Sequence, residues 1–271
     1  MLGSRADAED VLQDVYLRWH PIAARDVASP LAYLITIATR ICLDRLRSLK
    51  QQRSQYFGPW LPEPIVEDGT ALPDIQLELR DQVSIGFLTI LECLSPEERI
   101  AFLLHDVFDY DYEEVVRILQ KKAPSCRQLV HRARERLREP RPRFTVTAES
   151  RERLLSAFLA AIKAGDRQSV MALLAEEVEY MADGGGKVIA AIKILRGRDR
   201  LGWLYHCIAR RFDRLQYRLV RVNGELGALC TMDDRLFSVL AFDIDGERIR
   251  RIYNVRNPDK LARVALRNAG T

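Results

Sequence analysis

The sequence predicts a multidomain protein in which two all-α domains, the second a helix-turn-helix, precede a C-terminal α+β cone. Apolar residues recur at helical spacing up to Arg53 and again through residues 94–138. Prolines and glycines interrupt the chain between these two segments. In the last third, helical segments give way to strand-like runs, which are separated by hairpin signals such as Asn223-Gly224. These three observations together predict the fold class.

Composition limits the classes of protein to which this sequence can belong. Hydrophobic residues make up 48% of the chain, and the net charge is only +4, so any affinity for nucleic acid must come from local clustering. We find no apolar run near the roughly 18 residues of a membrane span and no signal peptide. The five cysteines are scattered and form no C-x-x-C pair, which predicts a reduced, cytoplasmic protein. We expect no cofactor and no metal site.

The first segment predicts two helices of opposite charge. An acid-led start at residues 4–10 precedes a predicted core face of Val11, Leu12, Val15, Leu17 and Trp19. The acidic outer face carries Asp7, Asp10, Gln13 and Asp14. The second helix opens at Ser29-Pro30, and its polar side carries Arg40, Asp44, Arg45 and Arg47. An ordinary helical hairpin with solvated faces would show the same pattern.

Residues 121–138 concentrate positive charge on one predicted helix. Pro124 and Ser125 predict its start, with Ser125 as the N-cap. Its predicted apolar stripe consists of Leu129, Val130, Ala133 and Leu137. The other faces carry Arg127, Gln128, His131, Arg132 and Arg134. Arginine pairs with phosphate or guanine and glutamine with adenine, so these faces suit DNA, although most basic faces are merely solvated.

The residues upstream favour a helix-turn-helix. A helix start at residues 94–98 and a short second helix at residues 112–119 precede a turn at residues 120–124. The helix after such a turn enters the major groove by its N-terminal end. The turn is unusual because it contains no glycine, which is the usual residue there.

These motifs together resemble the extracytoplasmic-function sigma factors of bacterial RNA polymerase. Residues 7–17, 29–34 and 43–47 resemble their region two, and residues 94–138 resemble their region four. The resemblance implies a region-two domain at residues 1–56 and a region-four domain at residues 77–140. It implies promoter-specific transcription initiation as a dissociable subunit of RNA polymerase.

The resemblance also implies a role for each charged surface. Core RNA polymerase would bind Asp7, Asp10, Gln13 and Asp14. The minus-ten promoter element would be melted and held by residues 25–29 and by Arg40, Asp44, Arg45 and Arg47. The minus-thirty-five element would be read by Ser125, Arg127, Gln128, His131, Arg132 and Arg134. The family pattern has a further helix before Met1, so we expect Val11, Val15 and Trp19 to be partly exposed in this sequence.

Between the two domains lies a predicted extended linker, residues 57–76. It contains the run Trp60-Leu61-Pro62-Glu63-Pro64, whose prolines preclude a helix. This run is similar to the linker of one sigma subgroup, which carries a C-terminal extension with a SnoaL-like fold. Residues 141–271 match that extension, and its two marker motifs are Asp183-Gly184-Gly185-Gly186-Lys187 and Asn257-Pro258-Asp259-Lys260-Leu261.

The resemblance implies that this extension regulates the sigma domains in cis, so that no separate anti-sigma factor is required. The residues expected to make the contact are Trp60, Pro62, Glu63, Pro64 and the two marker motifs, all of which we expect to be turns or extended segments. The alternative is that the marker motifs only shape the cone.

The sequence is also compatible with two other kinds of function. Some proteins with SnoaL-like folds are enzymes that use an Asp/His pair, for which Asp183 and His206 are the candidates here, but nothing in the sequence places them together. We therefore predict no enzymatic activity. The alternative function is a one-component regulator, or a small-molecule-binding or enzymatic SnoaL-like protein, with degenerate sigma modules. A small ligand in the cone is an open prediction under either function.

Overall fold

The structure, a computed structural model, describes residues 1–21, 27, 29–53, 55–67, 84–137 and 146–268. The chain divides into two compact units. Unit 1 comprises Met1–Gln55 and Leu88–Glu139, and unit 2 comprises Tyr56–Phe87 and Pro140–Thr271. The expected minus-ten loop at residues 25–29 lies mostly outside the described residues, as do residues 68–76 of the expected linker and Arg138.

Unit 1 is helical. It contains α1 (Arg5–Trp19), α2 (Pro30–Arg53), part of α3 (Ile85–Leu91), α4 (Pro96–Phe102), a π-helical turn (Leu103–Val107), α5 (Tyr112–Leu119) and α6 (Ala123–Arg136). Helix α1 packs on α2, and α2 packs on α4 and α5. One apolar core includes residues of α1, α2, α4, α5 and α6. The two sigma-like parts are therefore packed together in this unit.

The expected core face of α1 is partly wrong. Val11 and Val15 are buried, contrary to the expectation that they would be partly exposed. Leu12 and Leu17, which were expected in the core, are 67% and 59% exposed. The reason is geometric: Val11 and Val15 are one turn apart and both face α2, whereas Leu12 is rotated by about 100° around the helix.

The helix-turn-helix forms with an unexpected residue in the turn. Gln120 adopts the left-handed conformation, with φ 52° and ψ 40°, that glycine usually supplies at a helix C-terminus. The expected start of the basic helix at Ser125 is wrong, because α6 begins at Ala123 with Lys122 as its N-cap. Proline fits the first turn of a helix, where its missing N–H costs nothing, so Pro124 lies inside α6. The buried stripe is Cys126, Val130 and Ala133, with Leu129 and Leu137 only partly buried.

Unit 2 is built on one sheet with strand order β1-β4-β5-β6-β7-β2-β3. The strands are β1 (Val66–Glu67), β2 (Leu174–Asp183), β3 (Leu195–Arg196), β4 (Leu215–Val222), β5 (Glu225–Met232), β6 (Arg235–Asp245) and β7 (Arg248–Val255). The helices are α7 (Ala148–Ala164), α8 (Arg167–Leu173), α9 (Arg198–Arg211) and α10 (Pro258–Asn268). The last four strands form the expected antiparallel meander, while β2 pairs parallel with β7.

Each face of the sheet is covered differently. Helices α7, α8 and α9 pack their apolar side chains on one face, which we call the inner face. The other face is covered by Leu61 and Val66 of the N-terminal segment of unit 2 and by Leu261 and Val264 of α10. Residues 56–67 therefore belong structurally to the α+β domain, where β1 pairs with β4.

The second marker motif differs from expectation. It was expected to be a turn or extended segment, but Pro258 begins α10. Asn257 precedes the helix, and its side-chain Oδ1 accepts the Asp259 N–H at 3.1 Å, as a helix cap does. No described helix combines the length and the apolar character needed to cross a membrane.

Candidate nucleic-acid interface and linker clamp

Helix α6 presents the expected DNA-reading residues to solvent. Ser125, Arg127, Gln128, His131 and Arg132 are all exposed. The Arg127 guanidinium lies 5.7 Å from the ring centroid of Tyr112, which directs the side chain from α6 toward α5. These residues occupy the N-terminal two-thirds of the helix, the part that approaches base edges in a helix-turn-helix.

Arg134 is held differently from the other arginines of α6. Its Nε donates to Asp106 Oδ2 at 3.1 Å, and its Nη2 donates to the other oxygen of the same carboxylate. This hydrogen bonding raises the pKa of the Arg134 guanidinium. Arg134 therefore ties α6 to the π-helical turn, which leaves it less available to DNA than Arg127 or Arg132.

The structure brings two of the expected polymerase-binding acids, Asp7 and Asp10, together with one expected DNA-binding arginine. Arg45 donates from Nε to Asp7 at 3.0 Å and from Nη2 to Asp10 at 2.5 Å. Gln13, Asp14 and Arg40 are exposed, and their side chains form no hydrogen bond or ion pair with another described residue. On the acidic surface of α1, Asp7 and Asp10 are thus paired with Arg45, whereas Gln13 and Asp14 remain open to solvent.

Arg47 and its neighbours connect α2 to the helix-turn-helix. Arg47 contacts Asp44 at 3.4 Å and Glu97 of α4 at 3.0 Å, and Glu97 also pairs with Lys121 at 3.2 Å. Burial alone would raise the pKa of Glu97, but Lys121 and Arg47 outweigh it and hold the pKa below its ordinary value. The Glu97 carboxylate is therefore paired with Arg47, which the family resemblance assigns to promoter DNA.

A second, more buried group of charges reinforces this junction within unit 1. Arg53 and Arg99 both pair with Glu92, the latter at 2.8 Å. Arg53 Nη2 also donates to the Leu2 carbonyl oxygen at 2.8 Å, and Arg99 Nη1 to the Met1 carbonyl oxygen at 3.0 Å. The C-terminal end of α2, the start of the chain and the residues before α4 are therefore fixed together.

In unit 2, the first marker motif holds the Trp-Leu-Pro-Glu-Pro segment through Asp183. Asp183 is fully buried. Its Oδ1 accepts the Tyr56 hydroxyl at 2.6 Å and the Gly185 N–H at 3.0 Å. Its Oδ2 accepts the Leu61 N–H at 2.9 Å and the Lys260 ammonium at 2.6 Å. We call Tyr56, Leu61, Asp183, Asn257 and Lys260 the linker clamp.

Lys260 completes the linker clamp from α10. Besides Asp183, its ammonium donates to the Leu61 carbonyl, and it lies 4.0 Å from the Trp60 ring centroid. Trp60 thus provides an aromatic face for a largely desolvated cation, a favourable cation–π arrangement. The two marker motifs meet here, although 77 residues separate Asp183 from Lys260.

Asn257 and Gly185 show why these residue types are required. Asn257 donates to the Tyr56 hydroxyl at 2.9 Å. Gly185 has φ +63°, and a Cβ there would overlap the Asn257 side chain. Burial and the hydrogen bond to Asp183 both raise the pKa of Tyr56, so it stays a hydroxyl donor. Lys187 lies outside the linker clamp in an exposed pair with Asp259 at 2.5 Å.

The remaining expected contact residues lie along the same segment. Pro62 and Pro64 are buried, Trp60 and Glu63 are partly buried, and Leu261 is buried in the core on that face of the sheet. The segment is also held at Ile65, whose N–H donates to Asn223 Oδ1 at 2.9 Å.

The sequence analysis missed Tyr56 and Asn223. Tyr56 lies only four residues before Trp60, so its proximity was the available signal. Asn223 was identified only as part of a hairpin turn.

The structure does not bring Asp183 and His206, the candidate catalytic pair, together. Both Asp183 oxygens are used by the linker clamp, whereas His206 Nδ1 lies 2.9 Å from the Gly165 carbonyl oxygen. Among the described residues, no group of three or more His, Cys, Asp or Glu side chains is placed to hold a metal ion.

Comparisons with known proteins agree with this architecture. Residues 1–52 match the family model for Sigma-70 region 2, and residues 85–137 match that for Sigma-70, region 4. The chain is 30% identical to the ECF RNA polymerase sigma factor SigJ of Mycobacterium tuberculosis, over 96% of this chain and 87% of that protein. It is 29% identical to the probable ECF RNA polymerase sigma factor SigI of the same species, over 96% and 88% of the two chains.

A solved structure extends the similarity to three dimensions. The crystal structure of the M. tuberculosis extracytoplasmic function sigma factor SigJ superposes with a TM-score of 0.77, covering 96% of this chain and 91% of that one. Both sigma regions and the SnoaL-like α+β domain lie within the matched length. The chain therefore belongs to the extracytoplasmic function (ECF) sigma factors of RNA polymerase.

Proposed function

We propose that this protein directs bacterial RNA polymerase to specific promoters for transcription initiation, and that its SnoaL-like domain controls this activity in cis. The observation that carries the proposal is the helix-turn-helix, in which α6 exposes Arg127, Gln128 and Arg132 after a tight turn at Gln120. A region-two-like helix pair in the same chain supplies the second promoter contact that an initiation factor needs. The protein acts in the cytoplasm and does not act as an enzyme.

The proposed partners follow from the charge of each surface. Core RNA polymerase binds the acidic face of α1 through Asp7, Asp10, Gln13 and Asp14. Promoter DNA binds α6 and the polar side of α2. Because Asp7 and Asp10 already pair with Arg45, polymerase and the minus-ten strand compete with an existing contact in this part of the protein.

Control in cis is supported by the packing of the linker residues into unit 2. Residues 56–67 leave the region-two-like part, yet they pack into unit 2 through the linker clamp and β1. The SnoaL-like domain therefore sets the path of the chain between the two promoter-reading parts. No separate anti-sigma factor is needed for this.

The packing inside unit 1 supports a closed, inactive arrangement. Helix α2 packs on α4 and α5, and Glu97 holds Arg47. Two promoter elements at a fixed separation require the two reading helices to be apart, so α2 must leave α4 before both elements are bound. Release of the linker clamp would permit that separation.

Binding to core polymerase tests the proposal most directly. The purified chain should be retained by immobilised core polymerase, and charge reversal of Asp10 and Asp14 should reduce retention, most strongly at low salt, because exposed charges are screened within about 8–10 Å. Reversal of Glu113, which is exposed on α5, is the matched control. Absence of retention would favour the alternative, a one-component or small-molecule-binding SnoaL-like regulator with degenerate sigma modules.

A second test addresses control in cis. Lys187→Glu, or removal of the chain from Asn257 onward, should change transcription per folded molecule. DNA affinity of α6 should not change, because neither alteration lies in the helix-turn-helix. Lys193→Glu is the control, since Lys193 is an exposed lysine outside both marker motifs. Altered melting with unaltered transcription per folded molecule would mean that these motifs only shape the cone.

A further inference from the structure

The inner face of the sheet in unit 2 carries a row of polar residues. Tyr217 of β4 pairs with Cys230 of β5, and Cys230 pairs with Ser238 of β6. Val239 pairs with Val255, so Arg256, the residue after β7, continues the row beside Ser238. Elsewhere this face is an apolar core covered by α7, α8 and α9. Four polar side chains in one cross-strand row are unusual on such a face.

Three buried polar atoms next to this row have no hydrogen-bond partner among the described residues. They are the Tyr205 hydroxyl, Asn254 Oδ1 and Arg256 Nε. Tyr205 and Asn254 are only 4% and 8% exposed. The other end of the Asn254 amide is used, since Nδ2 donates to the Tyr180 hydroxyl at 2.7 Å. The amide is therefore oriented, and its oxygen is left as an acceptor.

Such atoms destabilise a fold unless something satisfies them. An unsatisfied buried donor or acceptor loses its hydrogen bonds to water without replacement, and an apolar group of the same shape would remove that cost. Proteins keep unfavourable polar groups together mainly at functional sites. One hydroxyl, one acceptor and one cationic donor around the same row indicate a ligand that has complementary groups.

The charge of the site selects the kind of ligand. The Arg256 guanidinium donates to the Ile189 carbonyl and lies 4.1 Å from the Phe237 ring centroid, but it pairs with no carboxylate among the described residues. Burial lowers the pKa of Arg256, which means that the surroundings do not yet compensate its charge. Burial also raises the pKa of the neighbouring Cys230 thiol to about 11, so it stays neutral. An anionic group on the ligand would balance Arg256.

We propose that this inner-face site binds a small organic acid that also carries a hydroxyl group. The carboxylate accepts from Arg256 Nε. The hydroxyl accepts from Tyr205 and donates to Asn254 Oδ1. The rings of Tyr180 and Tyr205 lie beside these groups and meet edge-to-face with centroids 6.3 Å apart. The site would make the SnoaL-like domain a metabolite sensor, independently of whether the chain binds polymerase.

Calorimetric titration of the full chain with 3-phenyllactate tests the proposal. This probe has a carboxylate, a hydroxyl and an apolar ring, and 3-phenyl-1,2-propanediol is its matched neutral analogue. We expect 3-phenyllactate to bind in the millimolar range or tighter and the diol to bind at least about tenfold more weakly, because a hydrogen bond to a charged group contributes roughly 1.5–3 kcal/mol. Failure of the acid to bind, or equal binding of the diol, would overturn the proposal.

Variants locate the binding. Arg256→Gln and Tyr205→Phe should each weaken 3-phenyllactate about tenfold or more. Arg218→Gln, an exposed arginine on the same sheet, should leave the affinity unchanged. Unchanged affinity in Arg256→Gln would refute the site even if the probe bound the protein.

The melting temperature of the ligand-free variants distinguishes a lost binding site from a misfolded protein. Tyr205→Phe removes an unsatisfied hydroxyl, so the melting temperature of the ligand-free chain should stay the same or rise while probe affinity falls. Lost affinity together with an unchanged or raised melting temperature supports a binding site. A lower melting temperature would show that the hydroxyl is satisfied structurally, by ordered water alone, and would overturn the assignment.

Discussion

The charged contacts of Arg45 and Arg47 in unit 1 and those of the linker clamp in unit 2 differ in how far they are removed from water. In unit 1 the Arg45–Asp10 side chains are 28% and 58% exposed, and the Arg47–Glu97 side chains are 54% and 29% exposed. In unit 2 the Asp183–Lys260 side chains are 0% and 13% exposed. Exposed pairs typically contribute about 0–1 kcal/mol, whereas removing one partner of a buried pair costs about 3–5 kcal/mol.

This difference in burial fits different roles for the two sets of contacts. The contacts that occupy the proposed promoter- and polymerase-binding residues of unit 1 are weak enough for DNA or polymerase to replace. The linker clamp in unit 2 is largely buried, so breaking its contacts is expected to cost more. A regulated initiation factor needs both a firmly held linker and reading surfaces that open.

The largest expected effect is at the linker clamp. Asp183→Ala should lower the free energy of unfolding of the chain by about 3–5 kcal/mol, because it removes the carboxylate that neutralises the buried Lys260 ammonium and leaves the Leu61 N–H without its acceptor. Urea denaturation followed by circular dichroism measures this change. Asp259→Ala, which breaks only the exposed pair with Lys187, is the control and should cost about 1 kcal/mol or less. Equal losses in the two variants would remove the contrast between buried and exposed pairs.

The next effect is on DNA reading. Arg127→Ala should weaken specific promoter binding by about 1–3 kcal/mol while leaving the fold intact, since Arg127 lies off the buried stripe of α6. Footprinting of the minus-thirty-five region in the presence of core polymerase measures it. Arg200→Ala, an exposed arginine of α9, should change nothing. An unchanged footprint in Arg127→Ala would show that α6 does not read the promoter through this residue.

A smaller effect is expected from loosening unit 1. Glu97→Gln removes the ion pairs with Arg47 and Lys121, which together contribute about 0–2 kcal/mol, and should raise promoter output several-fold by freeing Arg47. Transcription with purified core polymerase at several salt concentrations measures it, and the gain should shrink at high salt. Glu113→Gln is the control. Lower output in Glu97→Gln would mean that this contact belongs to the active arrangement.

The smallest effect concerns pH. The pKa of Glu97 is lower in the folded state than its ordinary value of 4.5, so the unfolded chain binds more protons there. The stability that Glu97 contributes is therefore complete above that value and is lost as the pH falls through the lowered folded pKa. Thermal melting of parent and Glu97→Gln should differ at neutral pH and converge in acid. A constant difference across that range would contradict the ion-pair origin.

Local residue patterns determined much of this protein. The helical periodicity of α1, α2 and α5, the hairpin at Asn223-Gly224 and the charge of α6 depend on neighbouring residues, so they could be predicted directly from the sequence. The N-cap of α6 was placed three residues late, at Ser125 instead of Lys122, because Pro124 satisfies the first turn of a helix as well as the position before it.

Tertiary structure decided what distant residues do together. Strand β2 was not predicted, because glutamates interrupt its apolar alternation and its partner β7 lies about 70 residues away along the chain. The linker clamp joins Asp183 to Leu61 across 122 residues, and Arg45 reaches Asp7 across 38. Which charges are buried as partners and which stay open depends on packing between elements, and no local residue pattern encodes that.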